Sequence, residues 1–90
     1  MKKTIITVVG KDSVGIIAKV CTYLSDHGIN ILDISQTIVD GFFNMMMIVN
    51  TDLCSKNFVE ISEELEELGK EIHCLIRVQR EDIFDMMHRI

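Results

Sequence analysis

Residues 3–9 are β-branched or apolar almost throughout, which predicts a central strand covered on more than one side, ended by Gly10. Ile17, Val20, Cys21 and Leu24 then recur at helical spacing behind a cap at Asp12 or Ser13, with Gly28 supplying the left-handed residue past the end. Residues 30–39 and 42–51 flank Asp40 and Gly41, a pair that tolerates the positive φ angles of a type I′ turn and so predicts a two-residue hairpin. That turn sets Ile38 opposite Phe43, Gln36 opposite Met45, Ile34 opposite Met47 and Leu32 opposite Val49, an apolar face. Ile31, Asp33, Ser35, Thr37 and Val39 fall on the other, mixed face, which is assigned to the outside. Asn57 with Glu60 forms a capping box, Phe58, Ile61, Leu65 and Leu68 make the stripe of a second helix, and Gly69 closes it. Ile72, Cys74, Ile76 and Val78 alternate with His73, Leu75, Arg77 and Gln79 as an edge strand would. From Asp82 onward, Ile83, Phe84, Met87 and Ile90 return to helical spacing, predicting a short helix docked by its apolar side.

The resulting β-α-β-β-α-β order repeats one half-pattern twice. Right-handed crossovers leave room for a strand between those that each helix joins. The expected fold is therefore an α+β, ferredoxin-like sandwich with antiparallel sheet order 4-1-3-2, two helices on one face and a short C-terminal helix. Residues 1–90 are read as a single domain, with the core in 1–80 and the extra helix in 81–90.

A chain of 90 residues with 48% apolar composition has apolar side chains in excess of what one small core needs. Strand one is apolar on both faces, and helices can cover only one of them, so a homodimer is expected. A formal charge of −5, from 9 basic and 14 acidic residues, is the wrong sign for gripping phosphates and argues against nucleic acid. Glu60, Glu63, Glu64, Glu66 and Glu67 read as a solvated helix face. Cys21, Cys54 and Cys74 are odd in number and lack any C-x-x-C spacing, which suits small apolar residues in a reducing compartment. Lys11 and Asp12 end the first apolar run too early for a signal peptide, and residues 42–49 fall short of a membrane span. A cytoplasmic protein with no membrane partner is expected.

Residues 10–15, bracketed by Gly10 and Gly15, form a loop between a strand and a helix, where free N–H groups and the helix dipole favour an anionic group. A plain structural turn is the competing reading. Ile16 and Ile17 stand where a P-loop would need Lys and Ser/Thr, and the dinucleotide glycine spacing is missing. His27, His73 and His88 have no diagnostic metal-ligand spacing. Cys21 sits on the helix-one stripe, where burial disfavours a thiolate nucleophile. Strand alternation separates the sulfurs of Met45, Met46 and Met47, so they pack and do not ligate. No catalytic set, metal site or cofactor is implied, and the chain is not read as an enzyme.

Val9 to Ile16, followed by Gly28, Ile29, Asn30 and Ile31, resembles the opening half of ACT domains. The likeness extends over essentially the whole chain and is greatest to the small stand-alone ACT proteins of bacteria and archaea. A more distant likeness is to the ACT modules of the glycine cleavage repressor. The resemblance implies binding of an amino acid or related small ligand between the first loop and the start of the second strand, commonly across a subunit interface. Carried onto this chain, it points to Gly10, Asp12, Ser13, Val14, Gly15, Asn30 and Ile31. The family often has proline where this chain has Val14, a residue whose fixed φ would favour the first helical turn.

The expected function is thus a regulatory small-molecule-binding module acting as a homodimer and read by a regulated protein partner. The alternative is a protein–protein interaction module without a small ligand, pairing through its outer sheet face and C-terminal helix.

Overall fold

The computed structural model describes residues 3–11 and 13–80. The anticipated C-terminal helix and the capping role of Asp12 lie outside the described residues. Elements follow the order β1 (Lys3–Gly10), α1 (Ser13–Asp26), β2 (Asn30–Val39), β3 (Phe42–Asn50), α2 (Phe58–Glu71) and β4 (Leu75–Arg80). The sheet runs β2-β3-β1-β4, with antiparallel pairing throughout. This is the expected ferredoxin-like order, named from the other edge.

The hairpin turn and the ends of both helices described next have local causes. Asp40 and Gly41 take φ angles of 53° and 82°, the two positive values of a type I′ turn. α1 stops in a left-handed turn: Gly28 has φ 68°, its N–H donates to Ser25 O, and Ile29 N–H donates to Leu24 O at 2.9 Å. Leu24 and Ile29 are both buried, so the turn that ends the helix also seals the core beneath it. α2 opens with the anticipated capping box, in which Asn57 Oδ1 accepts from Glu60 N and Glu60 Oε1 accepts from Asn57 N.

Gly69 does not close α2. It is buried within the helix, and a Cβ there would stand 2.8 Å from Cys74 O and 3.2 Å from Ile76 Cγ1. Its missing side chain lets α2 approach β4 closely. The helix is ended by His73, whose φ of 58° fills the left-handed position usual for glycine, while Cys74 N–H donates back to Gly69 O at 2.8 Å. Residues 72–74 are spent on this turn, so β4 begins at Leu75 and not at Ile72 as its alternation suggested. A non-glycine residue held at such a φ stores strain of about 1 kcal/mol. His73→Gly is accordingly expected to raise the melting temperature by roughly 4–8 °C in calorimetry.

The hairpin register agrees for Ile38↔Phe43, Gln36↔Met45 and Ile34↔Met47, but a bulge between Ile31 and Asp33 puts Ile31, not Leu32, opposite Val49. Asp33 Oδ1 accepts from Ile34 N–H at 2.8 Å, a side-chain bond that diverts a backbone donor beside the bulge. The bulge moves Ile31 from the outer to the helix-facing side. The core unites Ile6, Val8, Met45, Met47, Val49 and Ile76 of the sheet with Ile16, Val20 and Leu24 of α1 and Ile61 and Leu65 of α2. Cys21 is only half-buried at the margin of its stripe. All ten residues of β2 are exposed, including Ile38 at 73% and Val39 at 60%. Ile5, on the face of β1 turned away from both described helices, is only 3% exposed. Exposed apolar side chains therefore run along the β2 edge, and Ile5 of strand one is not among them.

Candidate functional site

β1 delivers the 10–15 loop to one end of the sheet. Gly10 lies opposite Phe43, which lies opposite Ile38, so the loop sits at the hairpin-turn end. A Cβ on Gly10 would collide with Ile16 Cδ1 and stand 2.9 Å from Cys74 Cβ. This glycine therefore serves packing first, letting the start of α1 and the approach to β4 close over the end of β1. Cys74 is wedged between Gly10 and Gly69, and burial pushes its thiol above the usual range. Such a thiol is a poor nucleophile at neutral pH. Val14, in the first turn of α1, projects to solvent at 78% exposure, while Gly15 is half-buried. Lys11 Nζ lies 5.4 Å from the centroid of the Phe42 ring, a cation–π contact that draws the loop toward the hairpin.

Asn30 and Ile31 lie at the opposite end of the sheet. Asn30 is opposite Asn50, which is opposite Lys3, whereas the loop adjoins Ile38. At the rise of an extended strand, the eight steps between residues 30 and 38 amount to about 25 Å. One chain therefore does not bring the loop and Asn30 together. Next to the loop, an open groove of about 380 Å³ runs between α1 and β2, lined by Ile17, Gln36, Thr37, Ile38 and Phe43. That volume suits a small ligand, and its walls are mostly apolar with two polar side chains for orientation. No group of three or more His, Cys, Asp or Glu able to hold a metal ion exists among the described residues.

One polar network was not legible in the spacing. Tyr23 Oη donates to Glu64 Oε1 at 2.8 Å, Lys56 Nζ pairs with Glu64 Oε2 at 2.8 Å, and the His27 ring stacks on Tyr23 with centroids 4.1 Å apart. Glu64 thus ties α1, α2 and the β3–α2 loop together, while Glu60 caps α2. The reading of Glu64 as part of a merely solvated face is corrected. The only available signal was Tyr23 and His27 four residues apart on a helix. The Lys56 ammonium and then the Tyr23 hydroxyl hold the Glu64 carboxyl below its ordinary range. A depressed carboxyl stabilises the fold above its unfolded pKa and loses that contribution as the pH falls through the folded one. Glu64→Ala is expected to lower the melting temperature by a few degrees at neutral pH, with the gap to wild type closing in acid. Melting curves over a pH series check both points.

The sequence profile of the ACT domain matches residues 2–79. A UPF0237 protein of Bifidobacterium longum is 62% identical over 90 residues, covering 100% of both chains. Among solved structures, an ACT domain protein from Streptococcus pneumoniae superposes with a TM-score of 0.82 at 42% identity, over 93% of this chain and 94% of that one. A structure assigned to a glycine cleavage system transcriptional repressor shares the fold at a TM-score of 0.73 and 24% identity, over 88% of this chain and 45% of that one. ACT domains are commonly regulatory small-molecule-binding modules. No helix among the described residues is long and apolar enough to cross a membrane. On the profile match and the end-to-end identity with its relatives, this chain belongs to the ACT domain family.

Proposed function

We propose that the protein is a regulatory module that binds an amino acid or similar carboxylate-bearing molecule as a homodimer, in sites completed across the subunit interface. The observation that carries this reading is the separation of the loop and Asn30 along one fully exposed edge strand. An edge strand with a row of unpaired backbone groups and apolar side chains seeks a partner strand. If β2 pairs antiparallel with β2 of a second copy about a two-fold axis, Asn30 of each chain comes beside the Val39 end of the other. There it adjoins the 10–15 loop of that other chain.

In that arrangement the carboxylate lies against the backbone of the first turn of α1, at Ser13, Val14 and Gly15, where the positive end of the α1 dipole favours it. Gly10 keeps the loop tight, Asp12 caps the helix or faces an ammonium group, and the Asn30 amide orients the ligand while Ile31 borders it. The groove along Ile17 and Phe43 takes the ligand's apolar part. The ligand binds one dimer arrangement better than others, and a protein partner in the cytoplasm reads that difference. No step of this scheme requires catalysis or a cofactor.

A thermal-shift panel of free amino acids tests the reading. A ligand at 100 times its dissociation constant adds about 2.7 kcal/mol, a rise of roughly 10 °C or more for a domain of this size. Flat melting temperatures across the panel would favour a protein–protein interaction module without a small ligand.

A further inference from the structure

Phe42 and Phe43 follow each other along β3, so their rings fall on opposite faces of the sheet. Phe43 is buried on the helix side and walls the groove against β2, whereas Phe42 is 44% exposed and borders a second cavity at the same end of the sheet. That cavity, of about 340 Å³, lies between the end of β1 and the turn that joins α2 to β4. It has no lining residue in common with the groove. At its inner end Gly10 and Gly69 bring backbone, not side chains, up to Cys74, and Val9, Phe42 and Leu75 give it apolar walls.

Three basic side chains line the same cavity: Lys11 from the loop after β1, Lys70 from the last turn of α2 and His73 from the turn that follows. Among the described residues no Asp or Glu lines it, although the chain as a whole carries a charge of −5. Burial keeps the Cys74 thiol protonated, so the inner end adds no negative charge. Lys70 alone has an ordinary explanation, since a cation in the last turn of a helix offsets the negative end of its dipole. Lys11 does not, because it comes from another element; its ammonium lies 5.4 Å from the centroid of the Phe42 ring, which holds it at the cavity. Nor does His73, whose φ of 58° is one that glycine adopts without strain while ending a helix equally well. The strained backbone keeps an imidazole at the cavity, and strain of this kind gathers where side chains are used. An imidazole donates a hydrogen bond in either charge state, and the two lysines add mobile point charges.

Apolar walls with a basic rim select a molecule that is apolar at one end and anionic at the other, and the volume suits a small one. We propose that this cavity is a second ligand site for a small organic anion, a phosphate or carboxylate carrying a short apolar or aromatic body. The body lies against Val9, Phe42 and Leu75, and the head group meets Lys11, Lys70 and His73. This assignment does not depend on the reading of the 10–15 loop and Asn30 as a shared site.

NMR titration of the full chain with phenyl phosphate, with phenylacetate and with uncharged benzyl alcohol tests it. At least one of the two anions is expected to move the amide signals of residues 10–11 and 69–75 and to bind roughly tenfold or more tightly than benzyl alcohol, and the tighter of the two names the head group. Lys11→Gln with Lys70→Gln should weaken that binding by about tenfold or more. His73→Gly should weaken it as well while raising the melting temperature, which separates a lost contact from a damaged fold. Signals that move only elsewhere, benzyl alcohol binding as well as the anions, or undiminished affinity in the variants would overturn the proposal. So would the failure of both anions to bind at millimolar concentration.

Discussion

Gly69→Val is expected to cost about 3 kcal/mol, a large part of the stability available to a domain of this size. The reason is backbone against backbone. A Cβ at residue 69 would meet the Cys74 carbonyl oxygen at 2.8 Å and Ile76 Cγ1 at 3.2 Å, so α2 and the start of β4 must separate. On its other side Cys74 packs against Gly10 closely enough that a Cβ built there would stand 2.9 Å from the Cys74 Cβ, which leaves little room to retreat. The two glycines form a slot around one cysteine, and filling either side pushes the chain into the other. Gly41→Val provides the contrast. There φ is 82° but nothing lies within 4 Å of an added Cβ, so only backbone strain of about 1–2 kcal/mol opposes it. Urea unfolding of the two variants should rank Gly69→Val well below Gly41→Val. Equal midpoints would mean that the helix–strand approach at Gly69 yields easily.

The same residue illustrates what could be read in advance. Order and type of the described elements followed from periodicity and turn chemistry, because hydrophobic alternation, the Asp40–Gly41 pair and the Asn57–Glu60 box are local signals. Gly69 looked like a helix stop because a glycine near the end of an apolar stripe usually is one. Its actual role depends on β4 arriving beside it, a tertiary fact with no local trace. His73 ends the helix in its place, and nothing in its spacing announces a left-handed residue. The bulge at Leu32 escaped for a similar reason: a two-residue turn fixes register near itself, and the Asp33 bond to Ile34 N–H resets it further along.

The candidate residues could be picked out of the sequence by motif, but their places in the fold could not. Gly10 to Gly15 and Asn30 stand out by motif, yet motif carries no information on which chain supplies which part. Only the register through β3 reveals that they occupy opposite ends of the sheet. Tyr23, Lys56 and Glu64 escaped because three residues on three elements share no sequence pattern.

Introducing charge on the open edge is expected to have the second large effect. Ile34 and Ile38 are exposed on the free subunit, so Ile34→Lys with Ile38→Lys should leave the fold and its melting behaviour as a monomer nearly intact. In the proposed dimer the two lysines at position 34 would be desolvated close to each other, and each lysine at position 38 would be desolvated beside the partner's Ile31. That should weaken self-association at least a hundredfold, about 2.7 kcal/mol. Light scattering of the variant at high micromolar concentration should then give the mass of one 10.3 kDa chain, and wild type twice that mass. A variant that remains dimeric would show that the copies meet elsewhere. Ligand-induced thermal shifts should disappear together with the dimer, since neither chain alone holds a complete site.

The most direct test of a shared site is cross-linking between two singly substituted chains in a background lacking Cys21, Cys54 and Cys74. One chain carries Lys11→Cys and the other Asn30→Cys. The account predicts that a short bifunctional maleimide joins the two on mixing, giving a heterodimer band on a denaturing gel. It also predicts that one chain carrying both cysteines forms no internal loop when diluted to monomer, because its two sites stand about 25 Å apart along β2. Absence of the mixed product from a sample shown to be dimeric would contradict the central claim.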